Sequence, residues 1–309
     1  MDLGRRALLA GMAALPLAAV AGAQERPQPA SRLILLGTAG GPTPKPNRAA
    51  AANAVVVGDR IYLVDAGNGA ARQMVLAGLR LEQLAAVFVT HHHSDHNIDL
   101  GAVLLLNWAS NPPQAIEFHG PPPLKQILAD SLAANRFDIE TRMEDEGRAD
   151  PADLIRTFEH ATPGKIYSDE FVTVTCAQVV HPPFAHAFGY RFDCPDRSIV
   201  FSGDTAPSQA LVDLARGADV LVHEVMYLSE IEKLIAADPS ASRLREHLVA
   251  SHTTCEQVGR VATEAGVKTL VLSHFVPGGF PFIKDEQWLE AVRPHFDGNI
   301  VVGRDLLEV

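Results

Sequence analysis

A short apolar run at 85–90 (AAVFVT) stops directly on HHHSDH at 91–96, which sets four histidines and an aspartate in six positions of a chain with thirteen histidines. The run has the length of a buried strand. The polar cluster must therefore emerge where that strand leaves the core, and the fold must offer a cleft there. Open α/β sheets place their sites in this way, at the carboxyl ends of strands.

The neighbouring sequence supports such a sheet. AVVV (54–57) and IYLV (61–64) flank Gly58 and Asp59, a hairpin signal. Asp65 ends the second run, 69–79 has helical spacing, and 85–90 returns as a strand ending at His91. The same order recurs later. SIVFSGDT (198–205), a helical stretch at 208–217 and ADVLVHE (218–224) put Asp204 where Asp65 stood and His223 where His91 stood. Alternating β and α with buried strands predicts sheets covered by helices. Between the repeats, 123–135 reads as a helix, the charged stretch 136–153 as a solvated insertion and 171–180 as β-rich. Beyond them, 228–252 reads as a helix, a Pro-containing turn and a further stretch leading to His252. Residues 255–266 form a helix stopped by Gly266, and TLVLSH (269–274) is a strand ending in histidine.

The N-terminus predicts a leader. Arg5 and Arg6, an uncharged run from Ala7 to Ala21 and the AGA triplet at 21–23 have the layout of a cleaved secretory signal. The arginine pair also suits twin-arginine export. The run is shorter than the ~18 residues of a membrane span, so no stable membrane insertion is expected. Residues 24–31 read as a polar leader and the fold as one domain over 32–309, in a periplasmic or secreted protein. Removing 1–23 takes two arginines and one aspartate from a chain of formal charge −11, which becomes −12. Such a field argues against a nucleic-acid partner. Cys176, Cys194 and Cys255 are odd in number and widely spaced, and describe no disulfide framework.

In an extended segment His91 and His93 project to one side, within reach of a single ion, while Asp95 and His96 can serve a second. Imidazole and carboxylate donors suit zinc, with manganese or iron as alternatives. His181, Asp204 and His274 also stand at strand ends, and Asp204, as a carboxylate, is the natural bridge between two ions. His92 points elsewhere. His119, His160, His247 and His295 carry no motif and default to structural or surface positions.

With those residues in place, the sequence resembles the metallo-β-lactamase superfamily. The resemblance runs through HxHxDH at 91–96, LGTAGGP (36–42), YLVDAG (62–67), HPPFAHAFGYRF (181–192), SGDT (202–205) and SHF (273–275). The set is most similar to the branch of ribonuclease Z and the metallo-type arylsulfatases, and covers nearly all of the chain after residue 32. It implies an α/β (α+β) fold, the four-layer αβ/βα sandwich. It implies one zinc on His91, His93 and His181, a second on Asp95, His96 and His274, and Asp204 bridging them. A hydroxide held between the ions and oriented by Asp95 would then attack the substrate. It further implies a proton-transferring pair, Glu224 and His252, the latter as general acid. His223 is expected in the core or behind the ligands, and His186 is set aside in favour of His181.

Substrate is expected by exclusion. Ribonuclease Z activity calls for a basic, glycine-rich arm to dock tRNA, and 136–153 has acids among its arginines. The expectation is an exported hydrolase of a small anionic ester, arylsulfatase-like or phosphodiesterase-like, with a homodimer admitted. The alternatives are a ribonuclease Z-like endonuclease, a lactonase or a β-lactamase. From a different class stand a metal-dependent redox protein or a non-catalytic binding protein, against which the complete hydrolase ligand set weighs. The segments 136–153, 226–247 and 275–284 are expected to wall the cleft, with Tyr227, Phe275 and Phe280 as apolar contacts.

Overall fold

In the computed structural model, residues 30–237, 242–279 and 282–309 are described. The expected signal segment 1–23, most of the 24–31 leader, and Phe280 lie outside the described residues. Two seven-stranded sheets face each other. The first runs in the order β14 (Leu307–Glu308), β1 (Ser31–Gly37), β2 (Ala52–Val57), β3 (Arg60–Val64), β4 (Leu84–Phe88), β5 (Ile116–Gly120) and β6 (Ile155–Glu159). The second runs β13 (Asn299–Val302), β12 (Thr269–Val276), β11 (Val220–Met226), β10 (Ser198–Phe201), β9 (Phe188–Asp193), β8 (Thr173–Gln178) and β7 (Gly164–Ser168).

Strand sequences explain the layering. In β1, Leu33 and Leu35 pack between the sheets while Ile34 and Leu36 pack outward under helices; in β2, Val55 and Val57 alternate in the same sense with Ala54 and Val56. A strand apolar on both faces must be covered on both. Helices α1 (Ala70–Leu76), α3 (Leu100–Ala109) and α4 (Leu124–Ala134) cover the first sheet. The outer face of the second lies under α6 (Gln209–Ala215), α9 (Cys255–Ala265) and α10 (Asp285–Val292). The result is the expected helix, sheet, sheet, helix sandwich.

Local signals match their sequences. Gly58 and Asp59 turn β2 into antiparallel β3, with Val57 opposite Arg60. Both β-α-β units exist, β3–α1–β4 and β10–α6–β11, each with parallel strands. Thr254 caps α9 through a capping box with Gln257, and Gly266 ends it in the left-handed region at φ 65°. Cys176 and Cys255 are buried and Cys194 half-buried, all as free thiols.

Some boundaries differ from expectation. The first strand begins at Ser31, one residue inside the expected leader, because its amide donates to Asp196 and its carbonyl accepts from Arg197. The stretch 136–153 is exposed, as expected, but it folds as helix α5 (Arg136–Glu146), laced by Arg142 pairs to Asp138 and Glu146, and a short 3-10 turn, Pro151–Leu154. The edge strands β6 and β7 carry the charged and polar residues that edges tolerate, and so give only a weak period-two signal.

Phe88 holds the sheets together at mid-core, with ring centroids 5.2 Å from Phe192, 5.6 Å from Tyr167 and 5.7 Å from Tyr190, all edge-on. Phe88→Ala should cost about 3–5 kcal/mol, read as a lower denaturant midpoint at unchanged m-value. A change below ~1 kcal/mol would show instead that the surrounding rings close the cavity.

Candidate metal centre

Beyond β4 the chain stays extended through His93, then turns into the one-turn helix α2 (Ser94–Asn97), which directs Asp95 and His96 inward. His181 follows β8, Asp204 follows β10 and His274 lies in the last turn of β12 before Phe275. All seven expected ligands meet. His93 Nδ1 stands 3.0 Å from His91 Nε2 and 3.1 Å from His181 Nε2. On the other side, His274 Nε2 stands 3.1 Å from His96 Nε2 and 3.3 Å from Asp95 Oδ2. Asp204 lies between the groups. Its Oδ2 is 3.8 Å from His91 Nε2, while its Oδ1 is 3.3 Å from His96 Nε2 and 3.4 Å from His274 Nε2.

Hydrogen bonds behind the cluster fix the imidazole tautomers. Thr90 Oγ1 donates to Asp65 Oδ2 and so accepts from His91 Nδ1 at 3.1 Å. His96 Nδ1 donates to Asp65 Oδ2 at 2.8 Å, and His181 Nδ1 donates to the Ser251 carbonyl at 3.0 Å. In each ring the remaining nitrogen, Nε2, faces the cluster as the potential ligand atom, and on His91 and His181 it is a bare lone pair. These lone pairs converge on the carboxylates of Asp95 and Asp204, and Asp204 Oδ1 is buried with no hydrogen-bond partner. Converging lone pairs repel unless a cation stands among them, so the donor set fits metal ions. Three groups of ligand atoms lie within 4.8 Å of one another: His91, His93, His181 and Asp204; Asp95, His96 and His274; and Asp204, His252 and His274, the last sharing its members with the first two apart from His252. Burial lowers the pKa of His91 and His93 and takes His181 to about 4, which keeps them in the neutral, ligating form.

Beside the cluster, Glu224 Oε2 accepts from His252 Nδ1 at 2.9 Å, and the Thr205 amide fixes Oε1 at 2.9 Å. His252 stacks over His274 with centroids 5.9 Å apart. Burial would lower the His252 pKa, but the charge and hydrogen bond of Glu224 outweigh it and raise it to about 9. The expected pair is therefore in place at the cluster's edge.

The other histidines separate cleanly, with one exception. His92 bonds the Pro121 carbonyl, His223 is buried against the Glu224 carbonyl, and His119 is stacked between Phe88 and Phe158; His186 joins none of the three groups. His247, expected to be structural or on the surface, instead lines the cleft, 5.8 Å from the His93 ring between centroids. No strand end or family motif marked it, and only its place one turn before Ser251 and His252 could have done so. The cleft wall at 226–247 is present through Ile231, Leu244 and His247. Tyr227 and Phe275 are corrected: both pack on Trp288 in the core, as Phe275 is only 1% exposed. The 136–153 segment is not part of the cleft. Its place is taken by the loop 40–45, which reaches over Asp95 through the Gly41 amide, 2.8 Å from Oδ2.

A family model described as the beta-lactamase superfamily domain matches residues 60–275. Ribonuclease Z of Mycobacterium avium (strain 104) is 36% identical over 280 residues, covering 90% of this chain and 97% of that protein. Ribonuclease Z of Mycobacterium tuberculosis (strain ATCC 25618 / H37Rv) is 33% identical over the same length. Among solved structures, the metallo-beta-lactamase fold protein YhfI from Bacillus subtilis superposes with TM-score 0.66 at 19% identity, covering 90% of this chain and 98% of that one. Human tRNase Z, short form, superposes with TM-score 0.63 at 20% identity and the same coverage. These findings overturn two expectations. The exported arylsulfatase-like hydrolase gives way to its stated alternative, because curated relatives 33–36% identical over 90% of this chain are named ribonuclease Z; the exclusion of nucleic acid falls with it.

Asp65 orients His96 and, through Thr90, His91, without reaching the ion positions. Asp65→Ala should keep the fold and weaken metal binding about 10- to 100-fold, measured by competition with a chromogenic chelator. Unchanged affinity would mean that packing alone orients the two rings.

Proposed function

The chain belongs to the β-lactamase superfamily, within its ribonuclease Z branch, and is a metal-dependent hydrolase; from that premise we propose that it is an endonuclease cleaving phosphodiester bonds in RNA. The observation that carries the reading is the near end-to-end match to proteins named ribonuclease Z. Transfer RNA is the substrate to try first, since the human structural relative is a tRNase.

Roles follow from the side chains. His91, His93 and His181 would hold one zinc, Asp95, His96 and His274 the other, with one oxygen of Asp204 toward each group. Bound there, two cations supply a nucleophile at neutral pH and offset charge on the phosphoryl oxygens. Asp95 Oδ2, held by the Gly41 amide, fixes one wall of the reacting space. His252 carries a proton on the cleft side, and Glu224 keeps the other ring nitrogen as a donor, so His252 can protonate the leaving oxygen. Its raised pKa keeps that proton in place below about 9, and turnover that needs it declines as pH rises through that value.

Purified protein should contain about two zinc per chain and cleave a transfer RNA transcript on denaturing gels. His93→Ala and Asp204→Ala should each lose metal and cleavage together. His252→Ala should keep its metal and slow turnover about 10²- to 10⁴-fold, more for phosphodiesters with poor leaving groups than for nitrophenyl ones. Equal losses across leaving groups would remove His252 from the acid role.

A further inference from the structure

The cleft beside the metal centre is a cavity of about 400 Å³ with two unlike ends. At one end stand His93, Asp95, Asp204, His252 and His274. The other is walled by the antiparallel pair α7 (Leu228–Ala237) and α8 (Ser242–Ser251), which present Ile231, Leu244 and Leu248, with Val276 of β12 beside them. Ile231, Leu248 and Val276 belong to a small buried cluster of their own, whereas Leu244 is 46% exposed at the cleft. An aliphatic surface left open next to a reaction centre gains by being covered by an apolar part of the substrate. Lys45, which also lines the cleft, donates to the Thr43 carbonyl, and Arg245 beside Leu244 is paired with Glu232.

His247 stands between the two ends. Its Nδ1 is 3.4 Å from Ser251 Oγ, and Ser251 Oγ donates its own proton to the Pro182 carbonyl at 2.8 Å. Ser251 Oγ can then only accept, which favours the His247 proton on Nδ1. That leaves Nε2 as a lone-pair acceptor, without a hydrogen-bond partner among the described residues. His247 belongs to none of the three metal groups. An unpaired acceptor at this place calls for a donor on the substrate. Within an RNA chain the phosphates only accept and the 3′ and 5′ oxygens are esterified. Apart from the base N–H groups, which differ from one base to the next, the nucleotide's one donor is the 2′-hydroxyl, the group that separates RNA from DNA.

Resting on the RNA reading of the site, we propose that α7 and α8 form a seat for one ribonucleotide flanking the scissile phosphate. Its base packs on Ile231, Leu244, Leu248 and Val276, and its 2′-hydroxyl donates to His247 Nε2. Aliphatic side chains offer a base no hydrogen bonds, so the seat takes any base while selecting ribose over deoxyribose.

The test is a double-mutant cycle between protein and substrate. Each nucleotide flanking the cleavage point is replaced in turn by its 2′-deoxy form and assayed with zinc-loaded wild type and with His247→Ala. At one position the deoxy substitution should lower wild-type kcat/KM about fivefold to tenfold, the scale of one hydrogen bond. His247→Ala should show a similar loss with all-ribose RNA and no further loss with the deoxy RNA. Changing the base at that position should leave the rate nearly constant, while removing the base should lower it. Leu244→Ser, at an exposed position that tolerates substitution, should lower the rate for the intact nucleotide and not for the abasic one. Additive losses at every position, or equal Leu244→Ser losses with and without the base, would overturn the seat while leaving the endonuclease intact. Absence of RNA cleavage by zinc-loaded wild type that still hydrolyses a nitrophenyl phosphodiester would overturn the RNA reading, and the seat with it.

Discussion

Four carboxylates, those of Asp65, Asp95, Asp204 and Glu224, are buried in or behind one cleft, and the rest of the architecture follows from offsetting the cost of burying them. A buried charge without a partner is far too costly to persist. The nearest side chains are imidazoles, of which His91, His93 and His181 are held toward the neutral form by burial. In the bare cluster, protons partly substitute for ions. Burial opposes a charge on His96, yet Asp204 and Asp65 raise its pKa well above the usual histidine value. A divalent cation supplies the same compensation with no proton on the ligand nitrogen, so metal binding and proton release are linked here.

The backbone is arranged to bring these groups together. Asp65, just past β3, and His274, the residue skipped where β12 bulges against β11, both adopt left-handed conformations, at φ 63° and 43°. Such positions cost about 1–3 kcal/mol each. They persist because each turn is held on both sides: Asp65 accepts from the Thr90 amide, and the neighbour of His274, Phe275, pairs its backbone with Thr38 and Gly40. Glycine serves where even an aspartate would not fit. Gly203 turns at φ 59° against the Phe188 carbonyl to present Asp204, and a Cβ at Gly67 would collide with the Asp95 carbonyl oxygen.

This division explains what could be read from the sequence. Strands that are apolar on both faces end abruptly in a polar residue, so the positions of His91, His181, Asp204 and His274 were legible as strand termini. So were the two parallel units and the helices over them. The edge strands β6 and β7 were not, because half-exposed strands alternate weakly. Tyr227 and Phe275 sit close in sequence to cleft residues, but their side chains fall on the core face, where Trp288 packs against both. His247 escaped for the opposite reason. It lies within a helix whose facing is decided by α7, which one-dimensional spacing cannot express. Asp65 was visible as the counterpart of Asp204 in the first unit; its task, holding two imidazoles from behind, required the fold.

Charge misled where it was summed over the whole chain. The formal charge of −11 includes exposed acids such as Asp138, Glu140, Glu144 and Asp145 on α5, outside the cleft. Exposed charges are screened over roughly 8 Å at physiological ionic strength, so they bear on approach from a distance more than on a phosphate already in the cleft. There the relevant balance is local. Asp95 and Asp204 stand among the imidazoles with which they would share metal ions, and the residues by which α7 and α8 line the cleft, Ile231, Leu244, His247 and Leu248, include no acid. On the proposed reading a polyanion would be met by metal ions at its scissile phosphate and by an aliphatic wall beside it. Acidity of the chain does not weigh against the proposed action on RNA, because the two would be properties of different parts of the molecule.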